Sequence, residues 1–115
     1  MLPQAARMRD GDEFRRTIRR GASASTGTVV THLALTDELG VRVGLVVGKK
    51  VGNAVVRNRV KRRIRHALRS ELAGLPAGSR VVVRALAPAA ESTDLAGDVI
   101  GSLQRASRRS SAGRV

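Results

Sequence analysis

The chain contains no cysteine, no tryptophan and no tyrosine, and only one phenylalanine. Without cysteine there is no disulfide framework, no thiolate nucleophile and no cysteine-ligated zinc site. Acidic residues are scarce: nine Asp and Glu stand against 22 Lys and Arg, giving a formal net charge of +13. No stretch approaches the ~18 apolar residues that a membrane-spanning helix requires. The beginning, MLPQAARMRDGDEF, lacks the apolar run of a signal peptide. A cytoplasmic protein with no membrane partner is expected.

Familiar catalytic constellations are missing as well. His32 and His66 have no carboxylate or cysteine arrangement nearby in sequence, so neither a zinc site nor a catalytic triad is supported. GLVVGKKVG invites a phosphate-loop reading. Yet only three residues separate Gly44 from Gly48, and Lys50 stands where Ser or Thr would meet Mg2+. No pair of carboxylates has general acid–base spacing. The sequence offers no catalytic residue of its own.

At 115 residues there is room for one domain and one core, and 42% apolar content is enough to fold it. DGDEFRRTIRRG (10–21) reads as a short helix, with Asp10 as cap, Glu13 placed for a capping box and Gly21 at the exit. Phe14 and Ile18 share a face, and Arg15, Arg16, Arg19 and Arg20 surround it. TVVTHLAL (28–35) alternates as a strand, DELG (37–40) turns, and VRVGLVVG (41–48) returns, which predicts a hairpin. A helix follows from about Ala54 to Ala73, capped by Asn53 and stopped by Gly74 and Pro76. SRVVVRAL (79–86) is a strand whose Val81, Val82 and Val83 imply burial on both faces. STDLAGDVIGSLQRA (92–106) is the last helix, capped by Ser92 or Thr93, with Leu95, Val99, Leu103 and Ala106 as its core stripe. Residues 107–115 read as a frayed basic tail. The order α-β-β-α-β-α describes a small α+β two-layer sandwich, with helices on a mixed sheet. It forms a single domain over 1–115, with an ordered core of about 7–106.

The charge is concentrated. KKVGNAVVRNRVKRRIRHALR (49–69) holds nine Lys or Arg and no acid. On a helical wheel Val56, Val60, Ile64, Ala67 and Leu68 fall within one arc. Asn58, Arg59, Lys61, Arg62, Arg63, Arg65, His66 and Arg69 occupy the other side. An ordinary solvated helix mixes in acids for i,i+4 pairing; here Lys61/Arg65 and Arg65/Arg69 repel without relief. A localisation tag would need no cap and no apolar stripe. The pattern fits a helix anchored along one edge, presenting guanidinium forks to a polyanion.

RVGLVVGKKVGNAVVRNRVKRRIRHAL (42–68) resembles the signature of the bacterial ribonuclease P protein family. A strand ends in Lys-Lys, Gly-Asn-Ala and Arg-Asn-Arg follow, then Lys-Arg and a further Arg. RMRDGDEFRRTIRRG (7–21) is similar to that family's first helix, and the likeness runs from about Arg7 to Arg109. The resemblance implies an α+β sandwich, similar to domains of a small-subunit ribosomal protein and elongation factor G. It also implies a left-handed βαβ crossover, against the usual hand, and an extra short strand near 22–26.

Functionally, the resemblance implies a subunit of the ribonucleoprotein endonuclease that removes the 5′ leader from precursor transfer RNA. The catalytic groups would lie in the RNA. Its partners would be the catalytic ribonuclease P RNA and precursor tRNA, with no small-molecule substrate and no protein partner evident. Mg2+ would serve the holoenzyme, bound mainly by RNA, and the protein alone would require no cofactor. By motif position the RNA-binding residues are Lys49, Lys50, Asn53, Arg57, Asn58, Arg59, Lys61, Arg62 and Arg65. The leader cleft would involve Phe14, Ile18 and His32; the family usually has aromatics at the latter two positions, so here grip leans on charge and shape. The rival readings are a ribosomal or other structural RNA-binding protein and a DNA-binding protein. For the latter, the basic helix has neither a heptad extension nor a helix-turn-helix partner.

Overall fold

The structure, a computed structural model, describes residues 6–112. Its elements are α1 (Gly11–Arg20), β1 (Ala22–Ser25), β2 (Val29–Leu35), β3 (Arg42–Val46), α2 (Ala54–Arg69), β4 (Ser79–Ala85) and α3 (Leu95–Ala112). Short 3₁₀ turns lie at Leu72–Gly74 and Ala87–Glu91. The strands form one mixed sheet in the order β1-β2-β4-β3, with β3 parallel to β4 and the other pairs antiparallel. The α+β class and the extra strand at 22–25 agree with the sequence reading.

The expected 28–48 hairpin does not form. The hairpin is β1–β2, turning through Gly27, whose φ of 88° suits glycine. β4 inserts between β2 and β3, and its Val81, Val82 and Val83 are fully buried there. The 36–41 connection therefore straddles the start of β4. Thr36 N donates to Gly78 O (3.0 Å), and Gly78 N donates to Gly40 O (2.8 Å). Gly78 has a φ of 88°, and a side chain there would collide with Thr36 O.

The alternation of the strands splits the sheet's two faces. Val29, Leu33, Val43, Val81 and Val83 join Val60, Ile64, Leu68, Leu95, Val99 and Leu103 in the main core, so α2 and α3 cover that face. Thr31 and Ser102 share a buried 2.6 Å hydrogen bond, fixing α3 on β2. The opposite parity carries Arg80, Val82 and Arg84 of β4, with His32 of β2 and Gly44 of β3. α1 lies across that face: Glu13 accepts from Arg80 Nε (3.2 Å), and the Phe14 ring rests on Gly44. Before α1, Met8 N donates to Val43 O (2.8 Å), which covers part of the β3 edge.

Helix ends differ from the sequence reading in instructive ways. Asp10 caps α1 through Asp12 N, but Glu13 forms no capping box; it turns inward to Arg80. α2 stops at Arg69, four residues early, and the chain tightens into the 3₁₀ turn that brings Leu72 and Leu75 against the core. α3 starts later than expected because Asp94 is its cap, with Oδ1 accepting from Gly97 N (3.2 Å); Ser92 Oγ instead accepts from Asp94 N (3.3 Å). It also runs on through Ala112, where a tail was expected from 107, and Arg109 donates to Ser23 O. Residues 113–115 of that expected tail lie outside the described residues.

Candidate nucleic-acid interface

The basic helix is built as its sequence demands. Asn53 Oδ1 accepts from Val56 N at 3.0 Å and starts α2. Val60, Ile64, Ala67 and Leu68 are buried and Val56 packs against the same core, so the helix cannot rotate without exposing its stripe. Asn58, Arg59, Arg62, His66 and Arg69 are exposed, and Arg57, Lys61, Arg63 and Arg65 are half-buried. Lys49 and Lys50 project from the turn that precedes the helix, held down by buried Val51.

Among the described residues, no Lys or Arg from 49 to 69 forms a salt bridge. The ion pairs present are Arg15–Asp12, Arg42–Glu13, Arg80–Glu13 and Arg80–Glu38, all elsewhere. Within the described residues, then, no internal carboxylate offsets the nine cations of the segment. One of them also braces the fold. Arg63 Nη2 donates to Ser92 O at 2.8 Å, strapping α2 to the segment before α3. Arg57 Nε is buried without a hydrogen-bond partner among the described residues.

Two concavities meet at Arg65. One groove is lined by Asn58, Arg62, Arg65 and His66. The other is a cleft of about 180 Å3 where Phe14, Gly44 and Leu45 face Lys61 and Arg65, with Arg7 and Arg9 at its rim. The fold thus brings an aromatic ring from α1 and two cations from α2 to one place. Gly44 is the reason the ring can lie there, since any side chain at that position would collide with Phe14.

Of the three cleft residues expected from sequence, Phe14 lines this cleft, Ile18 is half-buried one turn along α1, and His32 is buried. His32 and Gly44 lie in one cross-sheet row through Val82. His32 Nε2 accepts from Arg84 Nε at 3.0 Å. Burial, and then the charge of Arg84, hold its pKa below the ordinary imidazole value. Arg84, Arg7 and Arg9 were not singled out from sequence. The period-2 alternation of Arg80, Val82 and Arg84 was the available signal for the first of them.

Comparison with known proteins agrees with this geometry. The family model described as Ribonuclease P matches residues 2–107. The chain belongs to the ribonuclease P protein family. It is 52% identical over 106 residues to the ribonuclease P protein component of Beutenbergia cavernae, covering 90% of this chain and 89% of that protein. The corresponding component of Corynebacterium diphtheriae is 43% identical over 118 residues, covering 95% and 99% respectively. A Staphylococcus aureus RNase P protein mutant with defective mRNA degradation activity superposes with a TM-score of 0.82 at 27% identity, over 90% of this chain and 89% of that one. The RNase P protein of Thermotoga maritima gives 0.70 at 26% identity, over 90% and 96%.

Membership makes this chain a component of the tRNA-processing enzyme ribonuclease P. Within the described residues no three His, Cys, Asp or Glu side chains gather as a metal site, and no helix is long and apolar enough to cross a membrane. The ribonuclease P family's RNA partner suits a surface whose cations lack internal counter-ions.

Proposed function

We propose that this chain acts in the cytoplasm as the protein subunit that binds the catalytic ribonuclease P RNA and the 5′ leader of precursor tRNA, and so assists leader removal performed by the RNA. The observation that carries this reading is the uncompensated cationic face of a helix whose other edge is sealed in the core. Such a face releases counterions when it meets phosphates, which makes RNA association favourable and salt-dependent. Its field also steers the polyanion toward the bound orientation.

Lys49, Lys50, Asn53, Arg57, Asn58, Arg59, Lys61, Arg62 and Arg65 are assigned to RNA contact. Asn53 has its side-chain oxygen committed to the helix cap, so its amide nitrogen is the group left to donate. Phe14 is assigned to a leader base and Lys61 and Arg65 to the adjoining phosphates; Ile18 contributes apolar wall. His32 contributes through Arg84 rather than as a stacking surface. Mg2+ is assigned to the RNA, where it would serve the cleavage chemistry; the chain's own contribution is binding and orientation.

Reconstitution tests the proposal. The purified protein, added to bacterial ribonuclease P RNA at low Mg2+, should stimulate cleavage of precursor tRNA at the leader junction. Absence of stimulation at saturating protein would overturn it.

A further inference from the structure

The sheet face that α1 covers only in part has a central arginine. Strand register places Ser25, Val30, Arg84 and Val46 in one row across all four strands, next to the row that holds His32, Val82 and Gly44. Ser25 and Val46 are exposed, and Val30 and Arg84 are half-buried, so this row is an open floor. Arg84 Nε donates to His32 Nε2, which anchors one edge of the guanidinium. The accepting role of Nε2 puts the neutral imidazole's proton on Nδ1, which is buried and has no partner among the described residues. No carboxylate among the described residues pairs with Arg84. Its two terminal nitrogens make no hydrogen bond among the described residues and are not buried there.

A buried imidazole that spends its only acceptor on an arginine cannot itself present a ring to a base. What it does is orient a fork. The planar guanidinium, fixed along one edge, offers its free edge in the geometry that grips phosphate oxygens in pairs. The chain has one aromatic residue, Phe14, and it stands over the neighbouring strand at Gly44. A single strand of RNA seated by Phe14 at one point would cross this floor with no second ring to stack on, and Arg84 is the cation it would meet.

We infer that Arg84 is a phosphate-binding residue for single-stranded RNA on the open sheet face, and that His32 is the residue that positions it. The inference rests on the ribonuclease P reading above and extends it to a contact outside the α2 motif.

The test uses the protein assembled with ribonuclease P RNA. The probes are a 5′-labelled precursor tRNA and the same tRNA without its leader. Arg84→Gln should weaken leader-bearing RNA about tenfold, as loss of a charge-assisted phosphate contact does. The leaderless probe should lose less, and the log–log salt slope should fall by about 0.7. His32→Gln retains an acceptor for Arg84 Nε and should preserve affinity. His32→Leu should lower it, but add no further loss in the Arg84→Gln background. Thermal melts of each variant separate this from unfolding, because a merely structural His32 would lower stability and give additive losses. Unchanged affinity and slope in Arg84→Gln, with losses in Arg65→Ala, would overturn this inference and leave the functional reading standing. If the unsubstituted assembly did not distinguish leader-bearing from leaderless RNA, both would fall.

Discussion

Glu13 of α1 and Arg80 of β4, 67 residues apart, are joined by an ion pair buried between helix and sheet, Arg80 Nε to Glu13 Oε2 at 3.2 Å. Arg80 also donates from Nη2 to Glu38 (2.8 Å) and from Nη1 to Gly40 O (3.1 Å), so one guanidinium locks α1, β4 and the 36–41 connection together. Phe14 is the next residue along α1. The pair therefore sets where the cleft's ring sits.

Removing Glu13 takes away the buried partner of Arg80 and leaves that buried charge only the exposed Glu38. Glu13→Ala should destabilise the fold by about 3–5 kcal/mol, measured by denaturant unfolding. Glu38→Ala should cost no more than about 1 kcal/mol, because Glu38 is largely exposed. Equal costs would show that the Glu13 contact does not organise α1.

The ring of Phe14 and the bare backbone of Gly44 should behave as one unit. Phe14→Ala should weaken leader-bearing substrate by about 1–3 kcal/mol, the usual worth of stacking on a base. Mature tRNA should be affected less. Gly44→Ala should displace the ring and reproduce part of that loss, with little extra effect once Phe14 is Ala. Equal losses for both RNAs would assign Phe14 to the core alone.

Acid should destabilise the fold through His32. Its folded pKa lies below the unfolded value, so folding disfavours protonation; the neutral imidazole's contribution is intact above about 6.5 and is lost as pH falls below that. Thermal midpoints from neutral to mildly acidic pH should fall for the native chain and fall less for His32→Gln. Parallel curves would mean that His32 does not carry the effect.

Much of this was legible in the chain itself. The 3.6-residue stripe of Val60, Ile64 and Leu68, the Asn53 cap and the absence of nearby acids announced a one-faced cationic helix, because all are local patterns. β1, with the sequence ASAS, lacks the β-branched residues that mark a strand; only the family likeness placed one there. The false hairpin arose because a turn at DELG looks the same whether two strands are neighbours or bracket a third. Glu13 looked like a capping-box residue because its partner Arg80 is remote in sequence, and Arg84 was overlooked because His32 lies 52 residues away. Periodicity reports which face a residue takes, and long-range pairing decides what it meets there.

The most direct measurement is the salt dependence of RNA binding by Arg57→Ala/Arg59→Ala/Arg65→Ala, set beside Arg63→Ala. The triple variant should fold normally, since none of the three forms a salt bridge among the described residues. Its log–log slope should fall by about 0.7–0.9 for each phosphate that is no longer neutralised. Arg63→Ala should instead lower stability by breaking the strap to Ser92, with a smaller change in slope. A triple variant with the native slope and native affinity would contradict the assignment of this helix face to RNA.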